Sequence, residues 1–207
     1  MKRLESVKTI NKSYRTKFKE KGSQFTGLAY PVNSEDEINE ILERIKKQFY
    51  DATHRCYAYK LNNGMFKYSD DGEPNGTAGT RILNAVEHYG LTNIIVIVVR
   101  YFGGVKLGVG PLGKAYYNSA DITLKDAEII EKRPYQKIEI TVDFQNISHV
   151  HRLIANYNAV IDETSYDEKS HFSCFMETDN IIEFQKVLAD TLKGSFIIDI
   201  SEKIVYK

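Results

Sequence analysis

The sequence predicts an α+β protein of two α/β-sandwich domains, one over residues 1–133 and one over 134–207. Three observations lead there. A capping box at Ser34–Glu37 opens an amphipathic helical pattern. An uninterrupted apolar run, Ile94 to Val99, reads as a central strand covered on both faces. After Pro134 the pattern runs strand, helix, strand, strand, helix, strand, which is the ferredoxin-like βαββαβ order.

In the first domain, Ser34 can accept from an orphan amide of the first turn while Glu37 reaches back. Behind it Ile38, Ile41, Leu42, Ile45 and Phe49 recur at helical spacing, so 35–49 is a helix with one apolar face. Residues 53–61 alternate, with His54, Cys56 and Ala58 on one face and Arg55, Tyr57 and Tyr59 on the other. Ile82, Leu83 and Val86 mark a helix over 78–89, stopped by Gly90. Gly110-Pro111 is read as the start of a third helix. Proline at its first position gives up no needed hydrogen bond, and the helix is expected to run to about 131.

In the second domain, Ile138, Ile140 and Val142 alternate along a strand at 136–144, and Ile147, Val150, Ile154 and Tyr157 mark a helix. Strands follow at 159–167 and 170–178, the second with Phe172, Cys174 and Met176 on one face. Asp179 is expected to cap a helix that turns Ile181, Phe184 and Leu188 inward and ends at Gly194, before a last strand at 196–205.

A chain of 207 residues suits two small domains. Its 42% hydrophobic and 27% charged residues exclude a disordered or membrane class, and the longest apolar run falls far short of the roughly 20 residues that cross a bilayer. The two cysteines, Cys56 and Cys174, lie in different halves and make no disulfide framework; buried free thiols are expected. The charged start, Met-Lys-Arg-Leu-Glu, shows no secretory signal, so a cytoplasmic location and no membrane partner are expected. A net charge of zero hides an asymmetry. Residues 1–133 carry 21 Lys and Arg against 16 Asp and Glu, or +5, whereas 134–207 carry 7 against 12, or −5. Residues 1–21 hold 8 of the positive charges and 2 negative ones. Such an arm attracts nucleic acid or an acidic partner, or is a solvated, frayed terminus.

Three stretches are richer in Gly, charge and aromatic side chains than structural loops require: 51–59, 68–79 and 99–116. The strings Ser69-Asp70-Asp71-Gly72-Glu73-Pro74-Asn75-Gly76-Thr77-Ala78-Gly79 and Arg100-Tyr101-Phe102-Gly103-Gly104-Val105-Lys106-Leu107-Gly108 are long and unusual. In content, order and spacing they resemble the IMPACT/YigZ family, over Phe25 to Leu124. The C-terminal βαββαβ segment is similar to the second domain of the bacterial members. Thr80-Arg81, Pro111, Gly113 and Lys114 depart from the family's usual residues. The resemblance implies a first domain like that of a small-subunit ribosomal protein and of elongation factor G domain IV, and a second like the small α/β domains of that factor. It also implies a link to translation, since eukaryotic relatives regulate the general amino-acid control kinase pathway through an additional domain.

The residues carry their own reading. Gly108, Gly110 and Gly113 spell the dinucleotide fingerprint, but eight residues part Val99 from Gly108, so a Rossmann site is set aside. A generic anion site is better motivated. Gly103, Gly104, Gly108 and Gly110 let backbone amides approach a phosphate, the helix near Pro111 offers its positive end, and Arg100 and Lys106 add charge. Otherwise Gly103-Gly104 is a tight turn and Arg100 pairs internally. Asp70, Asp71 and Glu73 can hold Mg²⁺ or serve as turn chemistry, and Asp71 or Glu73 is expected to fix Arg100; no metal and no cofactor are expected. His54 and Arg55 join the anion-site candidates, while Cys56 reads as a core thiol. Tyr57, Tyr59, Tyr68, Tyr101 and Phe102 can stack bases, with two or three of them in the core. No nucleophile elbow, HExxH, Walker loop or CxxC is present, so no reaction is assigned. The expected function is a translation-linked binding or regulatory protein contacting RNA or a ribosomal surface through a glycine-rich basic cleft. An enzyme acting on a phosphorylated small molecule and a protein-interaction module are the alternatives.

Overall fold

A computed structural model describes residues 5–207, which divide into two units with cores in Val7–Glu131 and Lys132–Lys207. The first unit runs β1 (Val7–Ile10), β2 (Tyr14–Glu20), β3 (Ser23–Pro31), α1 (Glu35–Gln48), β4 (His54–Lys60), β5 (Phe66–Ser69), α2 (Gly79–His88), β6 (Ile94–Tyr101), α3 (Val109–Lys125) and β7 (Ile129–Lys132). Five of these strands form an antiparallel sheet in the order β2-β3-β6-β4-β5, and β1 pairs with β7. Both faces of the sheet are covered. On one, Ile38 and Ile45 of α1 and Phe49 just after it meet Leu28, Tyr59, Ile95, Ile97 and Val99. On the other, α2 and α3 bury Ile82, Val86, Leu112 and Tyr116 against Phe25, Cys56, Ala58, Val96 and Val98. The all-apolar run is therefore the middle strand of three layers, and the alternation read along 53–61 divides between the two cores.

Ser34 caps α1, its Oγ accepting from the Glu37 amide at 3.3 Å. Glu37 reaches one residue further back than the box requires, accepting from the Asn33 amide at 2.8 Å.

Two expectations about the first unit are corrected here. Over its described residues the basic segment is no frayed arm. Residues 7–10 and 14–20 lie in β1 and β2, with Tyr14, Thr16 and Phe18 half-buried and Arg15, Lys17 and Lys19 exposed; residues 1–4 fall outside the described residues. The third helix ends at Lys125, not near 131. The Asp126 amide closes it onto Ile122, and Asn11 then takes the Glu128 carbonyl at 3.2 Å while Tyr14 Oη accepts from the Glu128 amide at 2.9 Å. Pairing with β1 draws the β-branched Ile129 and Ile130 into a strand, tertiary contacts overriding local helical tendency.

The second unit contains β8 (Pro134–Val142), α4 (Ile147–Asn156), β9 (Val160–Tyr166), β10 (Ser170–Glu177), α5 (Ile181–Leu192) and β11 (Phe196–Tyr206). Its antiparallel sheet has the order β11-β8-β10-β9, the ferredoxin-like arrangement. Ile138, Ile140, Val142, Phe172, Cys174 and Met176 share one core with Val150, Leu153, Ile154, Phe184 and Leu188, so both helices cover the same face. Asp179 is not the cap of α5. It lies in a short 3₁₀ turn, Thr178–Asn180, and Asn180 holds the cap position without a side-chain bond. Lys193 and Gly194, both at positive φ, end that helix. Among the described residues no helix is long and apolar enough to cross a membrane.

Cys56 and Cys174 are free and fully buried. Burial pushes both thiols up, Cys174 to about 11. Since the thiolate is the reactive form, the native protein at pH 8 should resist a thiol-specific disulfide reagent, and denaturant should release both groups. Stoichiometric labelling of the folded protein would contradict this placement.

Candidate functional site

In the sheet register Arg100 stands opposite Phe25 on β3 and His54 on β4, so its side chain enters the layer under α2 and α3. The residue is only 5% exposed. Its Nη1 donates to Glu73 Oε1 at 2.6 Å and its Nη2 to Ser23 Oγ at 3.2 Å, while the guanidinium lies over the rings of Phe25 and Phe102. Arg100 Nε is buried without a hydrogen-bond partner. Glu73 Oε1 also accepts from Tyr116 Oη at 2.7 Å and lies 3.7 Å from His54 Nε2. Burial foremost, with Cys56 and Glu73 alongside, drives the Tyr116 hydroxyl far above its ordinary range, so it stays a neutral donor. Glu73 rather than Asp71 thus holds Arg100, with its carboxylate almost closed from water.

The turn between β5 and α2 gives each of the other acids a separate partner. Asp71 at φ 39° and Gly72 at φ 86° reverse the chain. Asp70 accepts from the amides of Gly76, Ala78 and Gly79 at 2.8–2.9 Å, so it caps α2 from nine residues upstream of Gly79 in place of the Ala78 cap, which has no side-chain bond to give. Asp71 accepts from the Arg55 amide at 2.6 Å. His54 Nδ1 sits 2.8 Å from the Asp71 carbonyl, which only accepts, so that nitrogen carries the proton. Arg55 donates to the carbonyls of Phe49 and Ala52 at the end of α1. Among the described residues no group of these side chains has the arrangement of a metal site.

The loop after β6 is seated on the β2–β3 hairpin. A Cβ at Gly103 would lie 1.9 Å from the Gly22 carbonyl carbon and 2.2 Å from the Ser23 amide, so only glycine fits. Ser23 Oγ accepts from both the Gly103 amide and Arg100, tying the loop to the buried cluster. Gly104 turns the chain at φ 85°. Lys106 is exposed and, among the described residues, has no ion-pair partner, while Leu107 is buried and anchors the loop. α3 begins at Val109, so Pro111 stands third rather than first in the helix, still in the first turn, where its missing N–H forfeits no intrahelical bond. The cap position is Gly108, which has no side chain to cap the helix, and Gly110 is exposed beside it. Phe102, Val105 and Val109 are exposed around this end.

The candidates therefore separate. Arg100, His54, Arg55, Asp70, Asp71 and Glu73 face protein partners and fix the loops. Gly104, Lys106, Gly108 and Gly110 face solvent, and Gly103 makes the seat. Of the aromatics, Tyr59 is buried, Tyr57 and Tyr101 pack on the α1 core, and Tyr68 and Phe102 are exposed. Sequence reasoning missed Tyr116 and Ser23. Tyr116 reads as one more apolar position of α3, and nothing about Ser23 marks its role except its place after the Lys21-Gly22 turn.

Residues 21–124 match the Impact N-terminal domain. The chain belongs to the IMPACT family. Residues 140–195 match a domain of unknown function, DUF1949. An IMPACT family member of Thermus thermophilus is 36% identical over 73% of this chain and 82% of its own length. The Bacillus subtilis IMPACT family member YvyE is 29% identical over 92% and 89% of the two chains, and the Escherichia coli member YigZ 27% over 84% and 88%. A crystal structure described as that of a hypothetical protein covers 97% of this chain and all of its own at a TM-score of 0.71 and 25% identity. Similarity to the Rattus norvegicus Protein IMPACT is confined to 93 residues, 42% of this chain.

Proposed function

We propose that this IMPACT-family protein is a translation-linked regulatory protein whose first unit binds RNA, on or off the ribosome, through the loop 102–108 and the start of α3. The observation that carries the reading is the uncapped N-terminus of α3 beside Lys106, a cation left without an ion pair among the described residues. Free amides at a helix start favour phosphate, and glycine at the cap leaves them open. The hairpin pressed against Gly103 carries exposed Lys19 and Lys21, and exposed Phe102 offers a ring to a base. Arg100, held by Glu73, supports the loop from below and contributes little free charge.

Phosphate contacts release counterions, so RNA affinity should fall steeply between about 50 and 200 mM salt. Lys106→Ala should weaken binding to different sequences about equally and flatten the logarithmic salt slope by about 0.7 for a single strand. Lys19→Ala tests the hairpin's share without removing β2, which deletion of 1–21 would do. A filter-binding titration at several salt concentrations measures all three proteins. Salt-insensitive or undetectable RNA binding by the wild type would leave a small phosphorylated ligand as the reading for the same helix start.

A further inference from the structure

α2 carries one cation, Arg81, and one carboxylate, Glu87; α3 carries Lys114, Lys125 and one carboxylate, Asp121. Glu87 is engaged by Lys60 at 3.4 Å, and Asp121 by Lys125 at 2.7 Å and by Tyr89 Oη at 2.8 Å. Arg81 and Lys114 remain, exposed and without a carboxylate partner among the described residues. Both line one open groove of about 350 Å³, together with Gly113, Tyr117 and Asn118. Gly113 explains how the groove is kept. It sits inside a helix, where glycine weakens the element and no positive φ demands it. A Cβ there would come within 3.3 Å of Arg81 Nε and 3.5 Å of its Cγ, so the bare backbone gives the arginine room against α3. Lys114 follows Gly110 by one turn of the helix, about 6 Å along its axis.

We propose that this groove is a second phosphate subsite for single-stranded RNA, with Arg81 and Lys114 on a phosphodiester and the Tyr117 ring against the adjoining base. The inference rests on the RNA reading above and extends it: a strand that begins at the α3 N-terminus continues along the same helix into the groove. Guanidinium and ammonium groups left unpaired beside a half-buried aromatic ring suit a backbone phosphate next to a base and offer nothing to a neutral ligand.

The test is fluorescence anisotropy with a labelled oligouridylate of about 12 nucleotides at several KCl concentrations. Wild type, Arg81→Gln/Lys114→Gln, Tyr117→Leu and Lys106→Ala are compared, with folding checked by circular dichroism. The double variant should bind about tenfold or more weakly, with a salt slope shallower by about 1.4. Tyr117→Leu keeps apolar bulk against the core and should lose about fivefold with an unchanged slope. If the double variant keeps wild-type affinity and slope while Lys106→Ala loses both, the groove proposal fails and the RNA reading stands. If the wild type does not bind at low salt, both fail. If pyrophosphate binds wild type but not the double variant and displaces no RNA, the groove serves a small phosphorylated ligand and the RNA assignment is overturned.

Discussion

Glu73→Ala is expected to lower the unfolding free energy of the first unit by about 3–5 kcal/mol, the range for removing one partner of a buried ion pair. The substitution strands Arg100 Nη1 in a layer where its Nε already lacks a partner, and it removes the acceptor of the Tyr116 hydroxyl. Glu73→Gln keeps the size and an acceptor oxygen but not the charge, so it should fall between Ala and wild type. Urea unfolding followed by fluorescence of the tyrosines measures the series. A loss for Glu73→Ala below about 1 kcal/mol would place the pair among solvated surface bridges and contradict its burial.

The second large effect is steric. Gly103→Ala should cost about 3 kcal/mol or more, because the added methyl meets the backbone of Gly22 and Ser23, and backbone cannot rotate away as a side chain does. Gly104→Ala is the matched control. Nothing lies within 4 Å of its Cβ, so only the strain of φ 85° is felt, about 1–2 kcal/mol. Hydrogen exchange adds a spatial readout: Gly103→Ala should accelerate amides of β2 and β3, and Gly104→Ala should not. Equal stability losses for the two variants would show that the loop is not seated on the hairpin.

Periodicity makes α1, β4 and β10 legible, because their apolar residues face cores at regular spacing, and an unbroken apolar run does the same for β6. It hides β2. Arg15, Lys17 and Lys19 dominate the composition there, and the inward residues Tyr14, Thr16 and Phe18 are too mixed in character to announce a strand. β7 is hidden for another reason, since its partner lies more than a hundred residues upstream. The glycine and acid strings mark two loops that meet around Arg100. Which acid holds Arg100 is not legible, because the turn at Asp71 and Gly72 sends three acids within four residues to three different partners. His54 and Arg55 likewise take partners within the protein, the Asp71 carbonyl and the carbonyls of Phe49 and Ala52, and no local pattern announces that.

β2 is the outer strand of its sheet, with β3 on one side and no sheet partner among the described residues on the other. An unpaired strand edge invites another chain to add to it, and alternating lysines are one of the devices that discourage such stacking. Arg15, Lys17 and Lys19 occupy alternate positions along this strand. Their charge therefore guards that edge against self-association. A variant stripped of all three should self-associate at concentrations where the wild type stays dispersed.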